Sequence, residues 1–362
     1  MNFAPIQYLE WARENMGRVP YDLANSGVKR LGAEEIGLDI GQLPLSGPDE
    51  DPELVRTLAE IHKARPSQIA ITTGATAGIF LVLHGLLKPG DEVLLEAPNY
   101  EPLYRVAQRA GAEVKTVERL FEKGFQLDLE AMERHIGRNT RAVLLTNLHN
   151  PSGVATSPEK LETISQIARE CNAWVLCSEV YLDAVFAKPV APAATLAENM
   201  ISLGSMSKVY GLGPTRVGWI VAQERVIEQV RRLEHYVYGE TSYIAQRVAL
   251  AALKKRGELQ RRAHEILGTN FKVLEDWVHS HSAVKWVEPD GGNIALLRLM
   301  HGIDSWEFHR LAKEKYQTLV APGEFFRAKG FVRVSFGCDP EIFHRGLENL
   351  SLALRDAMHE KH

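Results

Sequence analysis

Cysteine is scarce in this chain. Three occur in 362 residues, Cys171, Cys177 and Cys338, with neither a C-x-x-C spacing nor an even framework. That excludes a disulfide-stapled fold and points to a reducing compartment. A surplus of one charge is missing too. The formal net charge is -4, so nothing electrostatic draws the chain toward nucleic acid or an anionic membrane, and neither is an expected partner. No apolar run reaches the roughly 20 residues that a membrane helix needs. Met1 to Arg18 carries charges throughout and lacks an apolar core segment, so no signal peptide is expected and the expected location is cytoplasmic. Internal repeats, low-complexity tracts and long linkers are absent. His279-Ser280-His281 has metal-binding residue types without a third ligand beside them, so no metal is expected.

What is present is the composition of a globular protein able to bury a large core in one or two domains, with 45% hydrophobic and 24% charged residues. The first 50 residues read as irregular, with a short strand at Tyr21 to Gly27 that ends in a turn. Pro52 to Ala64 spaces Leu54, Leu58 and Ile61 as a helix does, and Arg65-Pro66 stops it. Strands then alternate with helices. The strands are 68–72, 92–96, 113–116, 141–146, 174–177 and 200–203; the helices between them are 76–87, 104–110 and 157–171. The strands are short apolar runs without alternation. They predict an α/β fold with a mostly parallel mixed sheet sandwiched by helices, and ligands beyond the carboxyl ends of the strands. Past Ile220 the chain turns mainly helical, at 246–254 and 258–279, with a smaller sheet expected from 283–287, 293–297 and 332–336. We expect a large domain over 45–280, and a smaller α+β domain built from 1–44 together with 281–362.

Chemistry concentrates at the ends of these strands. Ile201 to Leu203 runs into Gly204-Ser205-Met206-Ser207-Lys208, then Gly211, Gly213 and Arg216, then a second apolar strand. A lysine among hydroxyls, beside glycines that admit a ligand to the backbone, suits an imine with an aldehyde cofactor. Ser205, Ser207 and Arg216 offer neutral and charged donors to a phosphate. Thr72-Thr73-Gly74-Ala75-Thr76 opens a helix, where free N–H groups and the helix dipole also favour phosphate. Tyr100, after Ala97-Pro98-Asn99, can stack on an aromatic ring. Asn150-Pro151-Ser152-Gly153, Ser178-Glu179-Val180-Tyr181 and Arg333 in Phe331-Val332-Arg333-Val334-Ser335 lie at or near further strands.

In this order the motifs resemble those of the class I/II aminotransferase-like enzymes, the fold-type I family dependent on pyridoxal 5'-phosphate. The resemblance covers about residues 20 to 350 and implies an enzyme acting on an amino acid, most simply an aminotransferase and a homodimer. It implies that Lys208 carries the cofactor and that Gly74, Ala75, Thr76, Ser205, Ser207 and Arg216 hold its phosphate. Tyr100 would stack on its ring, and Asn150 and Tyr181 would bond its phenolic oxygen. Arg333, with the backbone at Gly27, would meet the substrate carboxylate. His149 reads as a neighbour of the site, not as its catalyst. Ser26-Gly27-Val28 also resembles the capreomycidine synthase subfamily, which works on an arginine derivative.

Two positions depart from the family pattern. Ser178 stands where the family has an aspartate that pairs with the pyridine nitrogen. A hydroxyl cannot balance a full positive charge, so the ring is expected to be a weaker electron sink. Elimination, replacement, cyclisation or oxidation of an amino acid therefore stands beside transamination. Leu43-Pro44-Leu45-Ser46-Gly47-Pro48 also lacks the tyrosine with which many members reach a neighbouring subunit's phosphate.

Overall fold

The structure, a computed structural model, describes residues 4–186 and 190–359. Seven strands form the central sheet, in the order Ile69–Thr72, Gly218–Val221, Met200–Ser205, Trp174–Ser178, Thr140–Thr146, Glu92–Ala97 and Glu113–Glu118. Pairing is parallel from Met200–Ser205 outward to Glu113–Glu118. Gly218–Val221 runs antiparallel to both its neighbours. The reversal has a local cause: residues 206–217 turn back tightly, where a parallel connection would need a crossover helix. The inner strands Glu92–Ala97, Met200–Ser205 and Gly218–Val221 are buried along their whole length, which is why they read as mainly apolar runs without alternation. The edge strand Glu113–Glu118 is partly exposed and carries Glu113, Lys115 and Glu118, charges that discourage further pairing.

Helices cover both faces. Ile79, Leu83, Leu103, Val106, Val226 and Val230 pack on Val93, Leu95, Leu144 and Ile201 on one side. On the other, Met132, Leu161 and Ile164 pack on Leu94, Val143, Leu145 and Val175. Each such side chain stabilises the fold by about 1.5–3 kcal/mol through burial. The C-terminal part adds a four-stranded antiparallel sheet in the order Ala321–Pro322, Phe331–Ser335, Ile294–Leu299 and Val284–Trp286. Its Leu297, Val332 and Val334 share a core with Leu267 and Leu274 of helix Arg256–Ser280 and with Phe343 and Leu350 of helix Pro340–His359.

Three expectations need correction. The first 50 residues are not uniformly irregular, because Gln7–Asn15 is a helix that buries Tyr8, Trp11 and Asn15. The expected strand from Tyr21 to Gly27 shrinks to Tyr21–Asp22, paired in parallel with Thr318–Leu319. Asp22 ends it, since its Oδ1 accepts from the N–H groups of Ala24 and Asn25 and bends the chain. The helix expected from Tyr104 begins at Glu101, with Pro102 in its first turn, where a missing N–H costs nothing.

Candidate active site

Register alone gathers the site. Ser178 pairs with Thr146 on one side and Leu203 on the other, so three parallel strands end side by side. The loops leaving those ends carry Asn150, Tyr181 and Lys208. With the Gly74 turn and the Pro98 turn they enclose a cavity of about 260 Å³. Of the residues singled out from sequence, Ala75, Thr76, Tyr100, Asn150, Ser178, Tyr181, Ser205, Ser207, Lys208 and Arg216 line it. Gly74 and Gly27 lie just behind the lining, and Arg333 is sealed beneath it with no exposed surface.

The Lys208 turn is held by its own backbone. Met206 N–H donates to Val217 at 3.0 Å, Leu212 N–H to Met206 at 3.1 Å, and Val28 N–H to the Lys208 carbonyl at 2.8 Å. Ser205 Oγ accepts from Ser207 N–H at 3.0 Å. Arg216 takes a left-handed backbone (φ 53°) that folds its side chain back, and its Nη1 donates to Ser207 Oγ at 3.2 Å and to the Gly213 carbonyl at 3.1 Å. Its other end lies over Gly74. A Cβ there would stand 2.3 Å from Arg216 Nη2 and push the guanidinium aside, and the φ of 89° is one that glycine adopts without strain. Helix Ala75–Leu86 starts at this point with no side-chain cap, leaving its first N–H groups free beside the guanidinium.

Lys208 Nζ donates to Ser26 Oγ at 2.9 Å. Burial, then the positive charges of Arg333 and Arg216, lower its pKa to about 7. Among the described residues no carboxylate lines the cavity, so none of them offsets these cations. The Tyr181 hydroxyl is buried without a hydrogen-bond partner, and its ionisation is pushed up by desolvation. The Tyr100 hydroxyl is pushed up likewise. A cationic chamber with free helical N–H groups, a glycine cradle under an arginine and an orphaned phenol fits an anionic, phosphorylated ring compound bearing an oxygen acceptor. Those are the features of pyridoxal phosphate.

Arg333 sits at the middle of its sheet, opposite Leu296 and Ala321. Its Nη1 donates to Asn150 Oδ1 at 3.1 Å, and its Nη2 to Tyr8 Oη at 2.7 Å and the Ala24 carbonyl at 3.3 Å. The guanidinium lies 4.5 Å from the Phe326 ring centre, and its Nε has no partner.

Sequence reasoning missed several contributors. Tyr8, Leu9, Ala12 and Met16 wall the cavity from the N-terminal segment, and Asn25, Ser26, Ile79, Thr146, Leu148 and Val180 complete it. The apolar spacing of Tyr8, Trp11, Ala12 and Met16 was the available signal. Glu96 and Arg119 form a buried ion pair below the floor, with Arg119 Nε donating at 2.6 Å. Glu96 Oε1 also accepts from Thr146 N–H at 2.6 Å and Asn99 Nδ2 at 3.1 Å, tying the Tyr100 turn to the neighbouring strand end. His149 is fully buried between the Pro98 carbonyl and Ser152 Oγ, both at 2.7 Å. Desolvation holds its pKa well below the usual value, so it braces the turn as a neutral ring.

A larger cavity, about 360 Å³, lies behind the strand ends and shares only Val180 and Ser205 with the first. Its polar groups are balanced among themselves. Arg256 pairs with Asp183, which accepts from Tyr210, while burial holds Glu179 near pKa 8 and His62 near 4, both neutral at pH 7. The unbalanced charge belongs to the Lys208 cavity.

The sequence pattern described as aminotransferase class I and II matches residues 17–350. Capreomycidine synthase of Streptomyces vinaceus is 28% identical over 362 residues, covering 96% of this chain and 92% of that protein. A solved PLP-dependent aminotransferase from Streptococcus suis 89-1591 superposes with a TM-score of 0.93 at 28% identity, over 98% of this chain and 99% of its own. A solved PLP-dependent cyclase, OrfR, superposes with a TM-score of 0.90 at 25% identity, over 98% of each chain.

Proposed function

This chain belongs to the aminotransferase class I and II family, and from that membership we propose that it is a pyridoxal-phosphate-dependent aminotransferase of an amino acid. The observation that carries the reading is the Lys208 amine, its pKa lowered to about 7, in a cavity lined by no carboxylate among the described residues. The phosphate would lie against the N–H groups of Ala75 and Thr76, with Gly74, Ser205, Ser207 and Arg216 around it. Tyr100 would stack on the ring, Asn150 and Tyr181 would meet the phenolic oxygen, and Ser178 the ring nitrogen. When bound, the cofactor supplies an aldehyde that joins to an amine and a ring that draws electrons from the substrate α-carbon.

The protein's own groups do the rest. Arg333 binds the substrate α-carboxylate as a guanidinium fork, with the Gly27 backbone beside it. Lys208 is partly neutral at pH 7, so it can take the α-proton and return one to the adjacent position. The enclosing wall keeps bulk water from the reacting carbon.

Ser178 favours a second reading with the same cofactor: elimination, replacement, cyclisation or oxidation of an amino acid. Similarity to a PLP-dependent cyclase supports it. A single-turnover reaction separates the two. Transamination leaves the amino group on the cofactor as pyridoxamine phosphate. Product formation without it removes the aminotransferase reading.

Assembly follows the same inference. The chain forms a homodimer, a state supported by exposed apolar side chains at Ile40 (66%), Leu45 (88%) and Tyr236 (88%). Its large domain spans 45–280 and its small domain joins 1–44 to 281–362. It works in the cytoplasm. Among the described residues no helix is long and apolar enough to cross a membrane.

A further inference from the structure

One part of the cavity wall has a composition of its own. Leu9, Ala12 and Met16 face the cavity from the N-terminal segment, and Ile79, Leu148 and Val180 face it from the sheet side. Leu9, Ala12 and Met16 are only half-buried, in contrast to Tyr8 and Trp11 on the same helix, which are buried in the core. The charged residues of this helix, Glu10, Arg13 and Glu14, fall on its exposed side. An apolar surface is thus left open toward the reacting amine.

The cations near the cavity already have tasks. Arg216 is turned onto Ser207 and the Gly74 loop, and Arg333 is held at the carboxylate position by Asn150 and Tyr8. Among the described residues no further lysine or arginine lines the cavity to receive a second carboxylate, and no aspartate or glutamate lines it to receive an ammonium or guanidinium. The nearby Glu101 is engaged, accepting from Tyr8 N–H at 2.8 Å and Arg105 Nε at 3.0 Å. A charged side chain entering here would lose its water and meet no opposite charge from the described residues of this chain.

We propose that the amino substrate is a monocarboxylic amino acid with an uncharged, apolar side chain, seated between the N-terminal helix and Ile79, Leu148 and Val180. The proposal rests on the reading of the Lys208 cavity as the amino-acid site. The N-terminal helix is then the specificity element. Tyr8 joins its two ends, with the hydroxyl on Arg333 and the ring among Tyr100, Phe325 and Phe326.

The test uses the holoenzyme and compares kcat/KM for L-leucine and L-methionine with L-aspartate and L-arginine. The expected preference for the apolar pair is at least about 100-fold. Met16→Glu should lower the value for methionine and raise that for arginine at least about tenfold; Leu9→Glu, on the same face, should do the same. Borohydride trapping at Lys208 is run on each sample. Without the adduct, the cofactor reading itself fails. With the adduct, equal or better turnover of aspartate or arginine, or no turnover of any apolar amino acid, overturns this proposal alone.

Discussion

Replacing Lys208 with methionine in protein freed of its carbonyl cofactor should make the fold more stable at neutral pH. The native pKa of Lys208 is about 7, against 10.5 for an unhindered lysine. Between those values the unfolded chain holds a proton that the folded chain has released. Stability therefore rises with pH across that window, and the destabilisation is complete at and below pH 7. Linkage sets its ceiling at roughly 4 kcal/mol at pH 7. Lys208 is partly open to the cavity, and water there screens some of this. Losing the 2.9 Å bond to Ser26 returns about 1 kcal/mol. The expected net gain for Lys208→Met is about 2 kcal/mol at pH 7, shrinking toward zero near pH 10. Urea unfolding at a series of pH values measures it. Equal midpoints at pH 7, or parallel pH curves for parent and variant, would refute the claim that this amine is held short of a counter-ion.

Gly74→Ala places a Cβ 2.3 Å from Arg216 Nη2 on a backbone with φ 89°, so affinity for pyridoxal phosphate, followed by absorbance titration, should fall at least about tenfold. Tyr8→Phe removes the 2.7 Å acceptor from Arg333 Nη2. It should raise KM for the amino substrate about five- to tenfold and lower stability by about 1–3 kcal/mol, read by steady-state kinetics and urea unfolding. Ser178→Asp supplies the missing carboxylate beside the ring nitrogen and should speed the first half-transamination in stopped-flow absorbance; an unchanged or slower rate would contradict the argument about that nitrogen.

The sheet and half of the cavity lining were legible because their causes are local. A strand that ends in a glycine or proline turn announces itself, and parallel register carries consecutive strand ends to one edge. So Ala97-Pro98-Asn99-Tyr100, Asn150, Ser178-Tyr181 and Ser205-Lys208 could be placed from their immediate neighbours. Contacts that span the chain could not. Tyr8 meets Arg333 across 325 positions and Ser26 meets Lys208 across 182. Neither pairing follows from periodicity, because each depends on how the N-terminal segment closes over the sheet. The helix Gln7–Asn15 left only a weak signal in the spacing of Tyr8, Trp11 and Ala12, because its buried set also includes Asn15 and charges stand between these positions. The Glu96–Arg119 pair was hidden, since two buried charges at the ends of adjacent strands read in sequence as ordinary surface residues.

Borohydride reduction of the protein incubated with pyridoxal phosphate, followed by peptide mass mapping, tests the central claim most directly. The account predicts one phosphopyridoxyl group per chain, carried on the ε-amine of Lys208. Modification spread over other lysines, or none at Lys208, would contradict it.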